Sequence, residues 1–405
     1  MSLIDLNNKS AIKNNSDFKV MEINMGPQHP ATHGVLRLKL ELDGETVVKC
    51  TPIIGYLHTG IEKTMENKTY LQALTCTDRM DYLGPLLNNL GYSLSVEKLF
   101  ELEIPPKAQW ARVILAELTR LNSHLVWVGT HALDIGAMTV FFYTFREREV
   151  LLKLFEDCSG QRMMTSYIRP GGLYYDLPPN FEKSVRNILN TFPSAIDEYE
   201  DLLTNNQIWI NRTKGVGVIT AEDAIAYGLT GPSLRGSGVN YDVRKANPYS
   251  GYENFHFEVP LGSNGDCYDR YLCRIAEMRQ SLKIIHQAID GLPEGPYRSD
   301  NRKFVLPPKQ EALTGMEPLI HHFKLIAHGI IPPTKGESYV PIESGKGELG
   351  FYIVSDGTNK PYRVKVRPPC FVNLSAIHKM VEGRLVADVI AVIGSIDIVL
   401  GEIDR

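Results

Sequence analysis

Leu36, Leu38, Leu40 and Leu42 alternate with Arg37, Lys39, Glu41 and Asp43, a strict period of two. Such alternation puts one face of a strand on a core and the other in water. Met21, Ile23 and Met25 alternate before it, and Thr46 to Cys50 returns after the Asp43-Gly44 turn signal. Residues 18–54 therefore read as a small antiparallel sheet. From about Gly60 the period becomes helical. A helix is expected over 62–75, then a second apolar stretch to Phe100. Beyond Pro105-Pro106 comes the clearest helical stripe, with Ile114, Leu118, Leu121, Leu125, Val128 and Ala132 at steps of four and three. Further helices are expected over 137–155, 181–203 and 220–227.

A Gly-, Ser- and Asn-rich stretch from Gly228 to about Gly262 follows, long for a structureless connection and so expected to have a role. Tyr268, Leu272, Ile275, Met278, Leu282, Ile285 and Ile289 mark another long helix. A helix is expected over 316–327. A hairpin is expected over 350–367, turning at Asp356-Gly357, before a helical, apolar end. The fold class is α+β: a central bundle of long helices flanked by small antiparallel β elements near the N- and C-termini. Residues 1–17 read as a flexible leader, 18–54 as the first β element, 55–310 as the bundle with its inserted loop, and 311–405 as a C-terminal helix, hairpin and tail.

The chain has 405 residues, 43% hydrophobic and 22% charged, with a net charge of −4. No long run of like charge suggests a nucleic-acid surface. Six scattered cysteines form no C-x-x-C pair, which fits a reduced chain without a cysteine-only metal site. No stretch reaches the roughly 20 apolar residues of a membrane span; of the two best candidates, 135–145 is too short and 386–400 is broken by Asp388 and Asp397. The first residues are Asn- and Ser-rich and resemble neither a signal nor a transit peptide.

The sharpest chemical signal precedes the Leu36 strand: Gly26-Pro-Gln-His29-Pro-Ala-Thr-His33-Gly34. Pro30 and Gly34 make this a shaped loop rather than a helix turn. Metal binding, proton donation by imidazoles that titrate near neutral pH, and plain hydrogen-bonded turn histidines are all open readings. His124 and His131 lie two turns apart on one helix, roughly 10 Å, too far to share a metal directly. For His124 a polar group on a helix side suffices. Asp134, at that helix's end in apolar company, needs a cationic or donor partner such as a histidine. Tyr82, after Arg79-Met-Asp81, opens an apolar run, and an amphipathic helix-start tyrosine explains it when taken alone. There is no G-x-G-x-x-G, Walker or G-x-S-x-G sequence, so no nucleotide site or serine nucleophile is indicated.

Several long motifs in order then carry a resemblance: GPQHPATHGVLRL (26–38), GYLHTGIEK (55–63), TYLQALTCTDRMDYL (69–83), ELTRLNSHLVW (117–127), YIRPGG (167–172), GPSLRGSGVNYDVRK (231–245) and DIVLGEIDR (397–405). The chain resembles the D-subunit family of respiratory complex I, the 49-kDa or hydrogenase-like large subunit of NADH–quinone oxidoreductase. The resemblance implies a fold like the large subunit of NiFe hydrogenases. It also implies a quinone head group, ubiquinone or menaquinone, held between His33 and Tyr82. Asp134 would pair with His33, and Val399 in the tail would line the cavity. No metal or redox cofactor is implied in this chain; electrons would come from a 4Fe–4S cluster in the small B subunit. The C subunit and the membrane H subunit are the other implied partners, on the cytoplasmic side of a bacterial inner membrane, in a proton-pumping enzyme. Loss of the His33 proton would change its pairing with Asp134 and begin the coupling to pumping. Many members carry Arg where Thr59 stands and His where Met164 stands, so cluster tuning is expected to differ here.

Two competing readings remain. A NiFe hydrogenase subunit would need four cysteines in two C-x-x-C pairs, and this chain has none. A scaffold subunit without a site predicts that Tyr82 and His33 are dispensable.

Overall fold

The computed structural model describes residues 20–332 and 334–405; the expected leader lies outside them. Strands β1 (Met21–Met25), β2 (Arg37–Asp43) and β3 (Thr46–Ile53) form an antiparallel sheet in sequence order. Leu40 faces Ile23 on one side and Cys50 on the other. Leu36, Leu38 and Leu40 are fully buried and Leu42 nearly so, as their alternation requires.

The expected helix over 62–75 is two helices, α1 (Ile61–Glu66) and α2 (Tyr70–Thr77). The break has a local cause. Thr69 caps α2 in a reciprocal box with Gln72, and a capped start ends the preceding helix. Next come α3 (Pro85–Phe100), the long α4 (Pro106–Ile135) and α5 (Met138–Ser159). α4 ends at Gly136, which takes the left-handed backbone and caps its carbonyls. A two-strand hairpin, β4 (Ile168–Arg169) and β5 (Gly172–Leu173), leads to α6 (Phe181–Leu203), α7 (Gln207–Thr213) and α8 (Ala221–Ala226).

The stretch 228–262 is ordered as short helices α9 (Pro232–Arg235) and α10 (Val243–Ala246) and a 3-10 turn. Its Arg235, Asp242 and Arg244 are buried together with Glu117, Arg120, Glu277 and Glu343. Arg235 bonds Glu277 and Glu343; Arg244 bonds Asp242 and Glu117. A glycine-rich loop so placed supplies the cations that buried carboxylates on the bundle helices need. That is the role its length called for.

α11 (Cys267–Asp290) packs on α4 and α6. After α12 (Lys309–Thr314) and α13 (Met316–Ala327) the expected hairpin gains a third strand: β6 (Gly336–Ser344), β7 (Gly347–Ser355) and β8 (Arg363–Arg367), in that order. β6 escaped the hydrophobic pattern because Ser338, Glu343 and Ser344 point inward as often as apolar residues do. The sheet lies on α3, where Gly91 leaves room for the Phe351 ring; a Cβ there would sit 3.2 Å from it. The chain ends in α14 (Pro369–Ser375), α15 (Ile377–Val381), α16 (Val386–Ile396) and α17 (Leu400–Asp404).

The described residues form two buried apolar clusters. The larger joins the long helices to β6–β8. The smaller joins the inner face of β2 to α14–α17, so residues from opposite ends of the sequence share one core. Val47 donates its N–H to the Arg384 carbonyl at 2.8 Å, tying the two together. No helix among the described residues is long and apolar enough to cross a membrane.

Candidate functional site

The histidine loop is a 3-10 turn, Pro30–Thr32, opening on His29 and closing on His33. His29 Nδ1 accepts the Ala31 N–H at 3.1 Å, so a neutral His29 carries its proton on Nε2. The buried Thr32 hydroxyl reaches the Pro27 and His29 carbonyls. Gly26 is obligatory: a Cβ there would fall 2.1 Å from the Leu36 carbonyl oxygen. His33 itself takes the left-handed backbone at φ 56°. The residue is exposed, although enough protein atoms lie around it to weaken the hydration of its ring. Desolvation, reinforced by the Lys346 ammonium, lowers its pKa to about 4. At neutral pH His33 is therefore a neutral imidazole, not a group poised at neutrality.

Tyr82 stands on the turn between α2 and α3. Three side chains hold that turn: Asp81 accepts the Leu83 N–H at 3.1 Å, Asn88 donates to the Asp81 carbonyl and Asn122 to the Leu83 carbonyl, both at 3.0 Å. The half-buried Tyr82 ring lies against Gly401, and its hydroxyl makes no hydrogen bond among the described residues. Burial and the Asp81 carboxylate push the phenol up, so it stays protonated.

Lys346, on the β6–β7 turn, is fully buried behind this turn. Its Nζ donates to Ser123 Oγ at 2.5 Å and lies 3.4 Å from Asp397 and 3.6 Å from Asp81. It acts electrostatically on both His33 and Tyr82, helping to lower the pKa of the imidazole and opposing the rise of the phenol. Residues from the two ends and the middle of the chain thus share one cation.

Glu402, on α17, is buried with both carboxyl oxygens unpartnered, beside Asp81, Lys346 and the Cys370 thiol. Burial first, and then Asp81, raises its pKa to about 8. The folded protein keeps this proton between pH 4.5 and 8, where the unfolded chain has released it. The stabilisation is complete below pH 4.5 and is lost as pH rises through 8. Glu402→Gln keeps the shape without the ionisation. It is expected to gain stability over the parent as pH rises from 4.5 to 8, reaching on the order of a few kcal/mol. Unfolding midpoints at pH 6 and pH 9 measure this; equal differences at both would reject the assignment.

Asp134 lies half-buried in the last turn of α4. Burial raises its pKa to about 6, and the electrostatic effect of His29 opposes the rise. No hydrogen bond or ion pair joins Asp134 to His33 among the described residues, so the structure leaves the expected pair unmade. Val399 is 2% exposed, packed in the smaller core, with its N–H on the Cys370 sulfur at 3.4 Å. His124 is buried and its Nε2 is hydrogen-bonded to Glu277 at 2.9 Å, with burial lowering its pKa. His131 is buried against Trp127 with neither ring nitrogen bonded. Thr59 is exposed, and Met164 takes a left-handed backbone at φ 56°. No cluster of three His, Cys, Asp or Glu among the described residues is arranged to hold a metal.

The sequence profile for the respiratory-chain NADH dehydrogenase 49-kDa subunit matches residues 134–405. The chain belongs to this family. It is 60% identical to the D subunit of the NADH-quinone oxidoreductase of Geobacter metallireducens over 96% of this chain and 99% of that one. It is also 62% identical to the second D subunit of Chloroflexus aurantiacus, over 96% and 95%, and 61% identical to the first D subunit of Solibacter usitatus, over 95% and 94%. Membership accounts for the motif order along the whole chain.

Sequence reasoning missed Lys346, Asp81, Asp397 and Glu402. A lysine between glycines reads as an exposed turn residue. The two C-terminal acids did leave a signal: carboxylates inside an apolar run must be buried with it, and a buried carboxylate implies a cation or a proton.

Proposed function

We propose that this chain, as a 49-kDa-family subunit, forms the quinone head-group site of a proton-pumping NADH–quinone oxidoreductase. The head group lies between His33 and Tyr82. The observation that carries this is the free Tyr82 hydroxyl, held protonated and under the same buried ammonium as the neutral His33 ring.

Reduction of a quinone to a quinol takes two electrons and two protons. The electrons come from a 4Fe–4S cluster in the adjoining B subunit. Here Tyr82 donates an O–H to one carbonyl and His33 an N–H to the other, and charge developing on the oxygens strengthens both bonds. Tyr82 is the direct proton donor. A neutral imidazole that gives up an N–H at one nitrogen accepts a proton at the other, so His33 serves as a relay. Asp134, its pKa raised to about 6 by burial and acted on electrostatically by His29, serves as a proton store for that loop. Exposed His33, Gly34 and Leu133 leave the site open, so the membrane H subunit completes the cavity. The B and C subunits are its other neighbours, and the assembly lies peripherally on the cytoplasmic side of a bacterial inner membrane. The helical bundle with its terminal sheets corresponds to a hydrogenase-type large subunit whose metal-binding cysteines are missing.

His33→Ala in the intact complex tests this. Quinone reduction is expected to fall about a hundredfold, the low end of a lost acid–base group, while an artificial acceptor that draws electrons at the cluster is still reduced at the parent rate. Unchanged quinone reduction in an assembled complex would favour the scaffold reading.

A further inference from the structure

His131, on α4, is 1% exposed, with the Trp127 ring stacked on it at 5.4 Å and the Trp209 ring edge-on at 5.1 Å. Neither ring nitrogen has a hydrogen-bond partner among the described residues. Packing alone asks only for an aromatic ring in this slot, and burying two polar nitrogens costs free energy that a phenyl ring would not. Buried polar atoms without protein partners are where internal waters bind. The imidazole therefore calls for a role in which its nitrogens take part.

Its position supplies one. Asp134 follows it on α4 at the i, i+3 spacing, which sets two side chains on one side of a helix with Cβ atoms about 5–6 Å apart. Gly394 of α16 lies against the ring: a Cβ there would fall 2.1 Å from Nδ1. Trp127 Nε1 donates to the Gly394 carbonyl at 2.6 Å and fixes that approach. α16 in turn packs on the 3-10 turn Pro30–Thr32, which closes on His33. The two imidazoles thus meet around one helix, and His33 acts electrostatically on His131. The other charges that act on it are Arg274 and Arg270 of α11. Asp388 of α16 and Arg212 of α7 pair with each other at 3.1 Å. Burial and the two guanidiniums lower the His131 pKa to about 3, so the ring is neutral, with one N–H and one bare nitrogen.

We propose that His131 is a positioning residue that relays protons from Asp134 to His33 through bound water. It touches no substrate and acts only through His33, so the proposal rests on the quinone reading of that ring. It also explains how Asp134 serves His33 with no bond between them. In each transfer the Asp134 carboxyl gives up its proton. His131 takes a proton at its bare nitrogen and releases its N–H proton toward His33, which passes its own to the quinone oxygen reduced by electrons from the cluster. One carboxyl O–H bond breaks, one quinol O–H bond forms, and both imidazoles end neutral in the other tautomer. The shift is concerted, because this position does not tolerate an imidazolium.

The test is quinone reduction by the intact complex, divided at each pH by the artificial-acceptor rate. In the parent this ratio is expected to rise as pH falls through about 6, where Asp134 gains its proton. His131→Phe keeps a ring between the tryptophans, and His131→Gln keeps hydrogen bonds but passes no proton on. In both the rise is expected to vanish, as in Asp134→Asn. A lost packing contact would lower the ratio at every pH and leave the rise in place. A rise retained by His131→Phe, by His131→Gln or by Asp134→Asn would overturn the relay, and so would a parent without one; where the Phe variant does not assemble, the Gln variant decides. If His33→Ala leaves quinone reduction intact, the quinone reading itself falls. If His33→Ala lowers it while the His131 variants keep the rise, only the relay falls.

Discussion

Tyr82→Phe is expected to lower quinone reduction by about a hundredfold, with the artificial-acceptor rate unchanged. The substitution removes one oxygen and nothing else. The ring still fills its place against Gly401, and the hydroxyl has no hydrogen-bond partner among the described residues to abandon, so the turn and the core behind it lose no bond. What disappears is the donor aimed at the carbonyl that gains charge. A positioned acid contributes roughly 10²–10⁴-fold, and the lower figure applies because His33 remains as a second donor. The loss should fall on kcat more than on KM, since the bond to a charged oxygen exceeds the bond to a neutral carbonyl. Membranes carrying the variant, assayed with quinone and with the artificial acceptor, supply both readings. If both rates persist, the head group is held elsewhere. If both collapse, Tyr82 is a structural residue.

The strand β2 and the long helices were legible because each has one buried face, and burial of one face writes its period directly into the sequence. β6 was not, since its inward polar residues answer to partners distant in sequence: Glu343 to Arg235, Ser338 to the Ser95 carbonyl. The break between α1 and α2 was legible in principle from Thr69 and Gln72, a capping signature overrun by the apolar period. At the site, the histidine loop and Tyr82 stood out through motif, but their protonation states did not. A histidine ring has an ordinary pKa until its surroundings are known, and the group that helps move His33 to about 4 is Lys346, more than 300 positions away. Asp134 stood out as an acid in need of a partner. Which imidazole would pair with it is not written in the spacing, because the backbone of the loop, and not the interval between residues, sets where each ring goes.

Lys346→Met tests whether that buried ammonium holds the site together. The side chain is wholly enclosed, so Met fills most of the volume and the main change is the lost charge. Asp81 and Asp397 then remain buried without their cation, next to Glu402, whose carboxyl already keeps its proton. Breaking a buried pair from one side costs about 3–5 kcal/mol, because the stranded charge must be desolvated or protonated. A lower unfolding midpoint is therefore expected, with a deficit that shrinks at acid pH, where the stranded carboxylates take up protons. Asp397→Asn added to Lys346→Met should recover part of the loss, and the non-additivity measures the coupling. The same substitution removes one of the two causes holding the His33 pKa down, so the acid limb of quinone reduction should move to higher pH. A structural lysine would account for the midpoint alone. A midpoint shift together with a moved acid limb requires that the ammonium also govern the proton on His33, and an unmoved limb would separate the two roles and leave Lys346 to stability only.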